Sequence, residues 1–175
     1  MRKAIFLCIF LCIFTIISAQ DLNPPDTLFI GFGPELNVQT RDGVAHGGGV
    51  FFGYEYNSRN ITGIKLSYFN DLYTVHSLEI LYFFRSYIPA LMWPENSNGM
   101  FLQGEGGVIV FWEHGKAYPV GSLGILFGWH FNNLITPEWF VEPAIRFGFP
   151  HAWGLSVCFG YTFPVSAKQN GGINE

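Results

Sequence analysis

Charge is what this sequence has least of. Only 13% of its 175 residues are charged, whereas a water-facing globule relies on a charged surface to stay soluble. Positive charge is scarcer still, nine Lys and Arg against 13 Asp and Glu. That balance disfavours a nucleic-acid partner, which needs a basic surface. Cysteine is limited to Cys8, Cys12 and Cys158. Long apolar runs are also missing. Beyond residue 19 none approaches the roughly 20 residues of a helical membrane span, so any crossing must use strands.

What the chain has in abundance is aromatic side chains, 18% of the total with 19 Phe. Its 21 Gly and ten Pro argue against long helices, because both weaken helix interiors. The first 19 residues read as a secretory signal. Arg2 and Lys3 form the charged end, Ala4 to Phe14 the apolar core, and Ser18-Ala19 the small residues before a cut ahead of Gln20. A lipid anchor is disfavoured because Cys8 and Cys12 each follow Leu rather than a small residue. Cleavage would leave 9 − 2 = 7 basic residues against 13 acidic, a net charge of −6. It would also leave Cys158 alone, so no intramolecular disulfide is expected. The expected layout is a signal at 1–19, a short periplasmic lead at 20–26, one strand-built domain at 27–163 and a polar tail at 164–175.

Within 27–163, segments of about ten residues alternate with period two between clusters of Gly, Asn, Pro and Asp. Lipid-exposed strands need about 9–11 residues, and they must close on themselves because hydrocarbon cannot satisfy an open edge. Eight strands are expected, near 27–39, 47–57, 61–69, 75–87, 100–112, 120–131, 139–147 and 153–163. Sorted by parity, one face carries the bulky apolar residues, such as Phe32, Phe52, Ile64, Tyr82, Ile125, Phe147 and Leu155. The opposite face holds Glu35, Glu55, Lys65, Glu79, Arg85, Glu105, Glu142 and Arg146, together with Gln103, His130 and many glycines. Placing a Lys or Arg on the lipid side of a barrel costs about 2–4 kcal/mol at mid-depth, and the pattern avoids that cost throughout. A soluble lipocalin-like barrel would reverse the faces. The small residues on the polar face suit a crowded lumen, and the large aromatics of the other face would not fit inside eight strands. Trp129 and Trp139 flank one turn while Trp112 and Trp153 lie at the opposite strand ends, as interfacial girdles would require.

The fold expected is therefore all-β, an eight-stranded antiparallel up-and-down transmembrane barrel with short loops and both termini periplasmic. Pro34 and Pro143 fall within strands, where each removes a ladder donor, and bulges or early strand ends are expected there. On this pattern the chain resembles the family of small outer-membrane barrels that includes the OmpA membrane domain, OmpW and the opacity proteins. The likeness extends over 27–163 and includes the last strand, Trp153-Gly-Leu-Ser-Val-Cys-Phe-Gly-Tyr-Thr-Phe163. Its alternating residues ending in Tyr161 and Phe163 resemble the signal read by the family's barrel-assembly machinery. Two departures are the tail after Phe163 and the short external loops.

For chemistry, the eight inward charges suggest a cross-lumen network that plugs the barrel, with a narrow cation-preferring path as the alternative. An OmpW-like conduit for apolar solutes is a further alternative implied by the resemblance. His46, His76, His114 and His151 fall one per external loop or strand end and would form a metal-binding or pH-sensitive rim if they converged. No close His spacing supports a metal site, and no cofactor is expected. Family members that modify lipids use Ser with His or acidic partners. The nearest set here is Asp71, His76 and Ser77, but adjacent strand residues point to opposite faces, which is poor geometry for a nucleophile and its base. A non-catalytic membrane barrel with an envelope-structural or surface-contact role, partnered by lipid and an unspecified surface ligand, is the expectation.

Overall fold

The computed structural model describes residues 27–39, 43–57, 60–71, 75–93, 98–133 and 135–164. The secretory signal, the periplasmic lead and all of the tail beyond Pro164 lie outside the described residues. Eight strands form one closed barrel: β1 (Thr27–Gln39), β2 (Gly43–Asn57), β3 (Asn60–Asp71), β4 (His76–Trp93), β5 (Asn98–Glu113), β6 (Lys116–Asn132), β7 (Trp139–Phe149) and β8 (His151–Pro164). Each pairs antiparallel with its sequence neighbour, and β1 closes against β8. This is the expected up-and-down order.

The strands overrun their expected ends. β2 begins at Gly43, β6 at Lys116, and β4 runs to Trp93. Beyond a membrane's hydrocarbon, alternation is no longer enforced, so sequence pattern loses the strand while pairing continues. At the end away from the termini the strand bounds consequently leave between one and four residues from each strand to the next, two of them, His114 and Gly115, between β5 and β6 and Pro150 alone between β7 and β8. The β5–β6 turn places His114 at φ 49° and Gly115 at φ 76°. Two successive positive φ values make the type I′ hairpin, whose twist matches that of the strands.

The prolines interrupt pairing without shifting it. Between β1 and β8 the pairs pass from Phe32↔Phe159 to Glu35↔Ser156, skipping Gly33 and Pro34 and resuming in the same register. Between β6 and β7 they pass from Gly128↔Ala144 to Phe131↔Val141, again in register around Pro143. The expected bulges at these prolines are thus absent. Each proline turns its missing donor toward one neighbour only, since Pro34↔Gly48 and Pro143↔Val157 remain paired on the other side. Register shifts occur instead at Val38/Gln39, Glu55/Asn57 and Tyr87/Met92, near strand ends.

The outer wall is apolar around the circumference, with Phe32, Ile64, Tyr82, Ile125, Phe147 and Leu155 all exposed. Most buried side chains face inward, and the charged residues within the wall, Glu35, Lys65, Glu79, Arg85, Glu105, Glu142 and Arg146, are buried among them. A water-soluble barrel would present the reverse.

Candidate functional site: a two-tier plug in the lumen

Strand register stacks the inward residues in tiers along the axis. Toward the end bearing the termini, Phe29, Phe51, Ile61, Phe83, Tyr87, Phe101, Leu126 and Phe140 form a buried apolar cluster. Its rings meet edge-on or tilted, Phe51 6.0 Å from Phe83, Phe29 6.0 Å from Phe140 and Tyr87 6.1 Å from Phe101. Glycines make room for it. A Cβ on Gly31 would fall 2.5 Å from the Phe51 ring, and one on Gly160 would fall 2.1 Å from that of Phe140.

Above the rings lies the charged tier. Arg146 donates two hydrogen bonds to Glu79, at 2.8 and 2.9 Å, the bidentate geometry that planar guanidinium favours. Its Nε also lies 2.9 Å from Glu105 Oε2, an ion contact whose angle falls short of a hydrogen bond. Ser122 donates to Glu79 at 2.7 Å. Lys65 reaches Glu35 at 2.9 Å and stands 3.9 Å from Glu105, while Ser67 donates to the same Glu35 at 3.1 Å.

Gln103 joins the tiers. Its amide nitrogen donates to Glu105 at 2.8 Å, and its carbonyl oxygen accepts from Arg85 at 2.8 Å. Arg85 donates to Glu142 at 2.5 Å, and His130 Nδ1 lies 2.8 Å from the same carboxylate oxygen. The Arg85 guanidinium also stands 3.9 Å from the Phe101 ring centre and 5.5 Å from that of Phe51. Such cation–π contacts compensate a buried cation for part of its lost water. A continuous polar chain therefore runs from Ser122 and Glu79 through Arg146, across its ion contact to Glu105, and on by hydrogen bonds through Gln103 and Arg85 to Glu142 and His130.

Seven of the eight charged residues singled out in the sequence, all but Glu55, meet in these ion pairs. Glu55, half-buried near the terminal end of β2, bonds to Thr27 instead. A lumen cavity of about 40 Å³ remains among Glu35, Lys65, Arg85, Gln103 and Glu142. That volume holds roughly two or three waters.

The aromatic tier was not legible as lumen. Phe51-Phe52 and Phe83-Phe84 place one ring on each face, and parity assigned the bulky aromatics to the outside. The available signal was the run of consecutive apolar residues, which in a strand requires both faces to be apolar.

The other proposed sites are dispersed. His46 and His76 are exposed on the outer wall, His114 caps the β5–β6 turn, and His151 is buried in the lumen mouth against Phe69 at 5.5 Å. No cluster of three or more His, Cys, Asp or Glu able to hold a metal occurs among the described residues, and the four histidines do not form one rim. Ser77 is buried in the lumen while His76 stacks on Tyr68 outside, so Asp71, His76 and Ser77 do not assemble into a nucleophile and base. Tyr161 and Phe163 lie on the outer wall at the terminal end of β8 with ring centres 4.7 Å apart, and Trp139 packs edge-on against Tyr161. In the turn before β7, the Thr136 hydroxyl bonded to Glu138 holds that carboxyl below its usual range.

A closed eight-stranded antiparallel barrel, apolar outside and packed inside, is the architecture of the small outer-membrane barrels. No protein-family profile and no curated protein matches the sequence. Solved structures do match the fold. Neisserial surface protein A superposes with a TM-score of 0.57 at 11% identity, covering 81% of this chain and 98% of that one. The N-terminal β-barrel domain of Pseudomonas aeruginosa OprF gives 0.51 at 11% identity, covering 81% and 100%. Identity this low makes the likeness one of fold.

Proposed function

We propose that the chain is a non-catalytic outer-membrane barrel with a sealed lumen and an envelope-structural role, its termini periplasmic. The observation that carries this reading is the two-tier plug. A cross-lumen ion network lies directly on a packed aromatic layer, and an eight-stranded barrel is narrow enough for side chains to fill. The outward apolar wall supports placement in lipid. Tyr161 and Phe163 at the end of β8 support recognition by the barrel-assembly machinery. The turns at the far end are one to four residues long, which favours a structural role over recognition by loops. A surface contact would fall on the β5–β6 hairpin, where Glu113–Pro119 are exposed on both faces.

Single-channel recording tests this. The refolded protein in a planar bilayer is expected to insert, with heat-modifiable gel migration as the folding control, and to show no discrete conductance. Steps with cation preference would overturn the sealed lumen and favour a conduit lined by its excess of carboxylates.

A further inference from the structure

The outer wall carries a groove of about 570 Å³, whose walls are Phe32, Pro34, Val50, Leu66, Tyr68 and Leu78. Its floor is Gly47-Gly48-Gly49 of β2. The three glycines have different reasons to be there. A Cβ on Gly47 would fall 1.9 Å from the Tyr68 backbone carbonyl oxygen, which forbids a side chain, and one on Gly49 would fall 2.5 Å from the bonded Glu35 and Ser67 oxygens and displace that pair. Gly48 has the outward parity of Val50 and Phe52. The atom nearest to a Cβ there would be the Gly33 carbonyl oxygen at 3.0 Å, so a side chain requires the β1 backbone to give by a few tenths of an ångström. Gly48 is thus the least crowded of the three, and the groove lies where it carries no side chain.

One outward register row beyond the groove's Gly48, Tyr68 and Leu78, toward the turns, the wall carries polar groups. His46, Asn70 and His76 sit in one cross-strand row through the pairs His46↔Asn70 and Asn70↔His76. Tyr68, itself a wall residue, stacks on the His76 ring at 6.2 Å between centres, with its hydroxyl 3.0 Å from His76 Nδ1. His76 also bonds to Asn70. We propose that this groove binds one acyl chain of a phosphate-bearing membrane lipid, with the phosphate held by the His46–Asn70–His76 row. This rests on the wall facing lipid, as under the proposed function. Two features argue for this occupant over a second copy of the chain. Hydrocarbon must fill any recess in a wall that faces a bilayer, and imidazole and amide donors at one end complement an anionic headgroup rather than another apolar wall.

The test is native mass spectrometry of the detergent-solubilised, heat-modifiable protein titrated with phosphatidylglycerol, with diacylglycerol as the phosphate-free control. The wild type is expected to retain one phosphatidylglycerol and at least tenfold less diacylglycerol. Gly48→Leu, which fills the groove with a lipophilic side chain and leaves the wall apolar, is expected to weaken retention at least tenfold. His76→Ala is expected to bring phosphatidylglycerol down to the diacylglycerol level. Equal retention by Gly48→Leu and wild type would overturn the groove as the site. Equal retention of the two lipids by wild type would overturn the headgroup contact. A protein that is not heat-modifiable and does not enter bilayers would instead overturn the membrane reading itself.

Discussion

Arg146→Ala is expected to destabilise the folded barrel by about 3–5 kcal/mol, the scale for removing one partner of a buried ion pair. Arg146 is the best candidate for a large effect because it serves two carboxylates. It donates twice to Glu79 and lies 2.9 Å from Glu105. Both glutamates are buried, Glu79 with 0% of its surface exposed. Their other partners, Ser122 on Glu79 and Gln103 with the 3.9 Å Lys65 contact on Glu105, do not replace a guanidinium. Denaturant unfolding of the barrel from lipid vesicles, followed by tryptophan fluorescence, measures the loss. The comparison that separates pairing from packing is Arg146→Ala with Glu79→Gln. If the charge left behind causes the damage, this double variant recovers part of the stability. A loss under 1 kcal/mol for Arg146→Ala would mean that bulk water reaches Glu79 and that the lumen is not sealed.

The second large effect is expected on the outside. Ile64 sits near the middle of β3 with 52% of its surface exposed, flanked by Phe52 and Tyr82 through the pairs Phe52↔Ile64 and Ile64↔Tyr82. In a soluble barrel, replacing an exposed Ile by Arg would alter stability by no more than a few tenths of a kcal/mol. Near the bilayer midplane the same change costs about 2–4 kcal/mol. Ile64→Arg should therefore lose that amount in vesicle unfolding. Ser67→Ala is a useful contrast: it is three residues away in sequence but faces inward, and it removes one hydrogen bond to Glu35 at 3.1 Å. That loss is expected near 1 kcal/mol. An unaffected Ile64→Arg would contradict a lipid-facing wall.

The parts of this fold that were legible in sequence are those that lipid penalises. Charges such as Glu79 and Arg85, six residues apart on one strand, share a parity because either one on the other face would meet hydrocarbon. That constraint revealed the strand number and the side facing in. It ends where the hydrocarbon would end, which is why the starts of β2 and β6 and the end of β4 were placed too far in. It also does not reveal partners. Arg146 meets Glu79 across 67 positions of sequence, a pairing that depends on the shear of the closed barrel rather than on any local pattern. The Phe layer was hidden for a related reason. Parity puts Phe51, Phe83 and Phe101 on the face of Glu55, Arg85 and Gln103, but apolar residues are tolerated on both faces, so nothing in the pattern marked them as one packed layer. The histidines show how sharply one position matters. His46 and His76 fall on outward parities and His151 on an inward one, so residues that looked like one rim separate onto different surfaces.

The most direct test of the central claim places a reporter on the wall. Ile64→Trp, reconstituted in vesicles whose lipids carry bromine at mid-chain, should show strong quenching of the added tryptophan. Bromine near the headgroups should quench it weakly. Strong mid-chain quenching is the result expected of an apolar wall immersed in the bilayer. A tryptophan at 64 that ignores brominated lipid and is quenched instead by iodide in the buffer would contradict it.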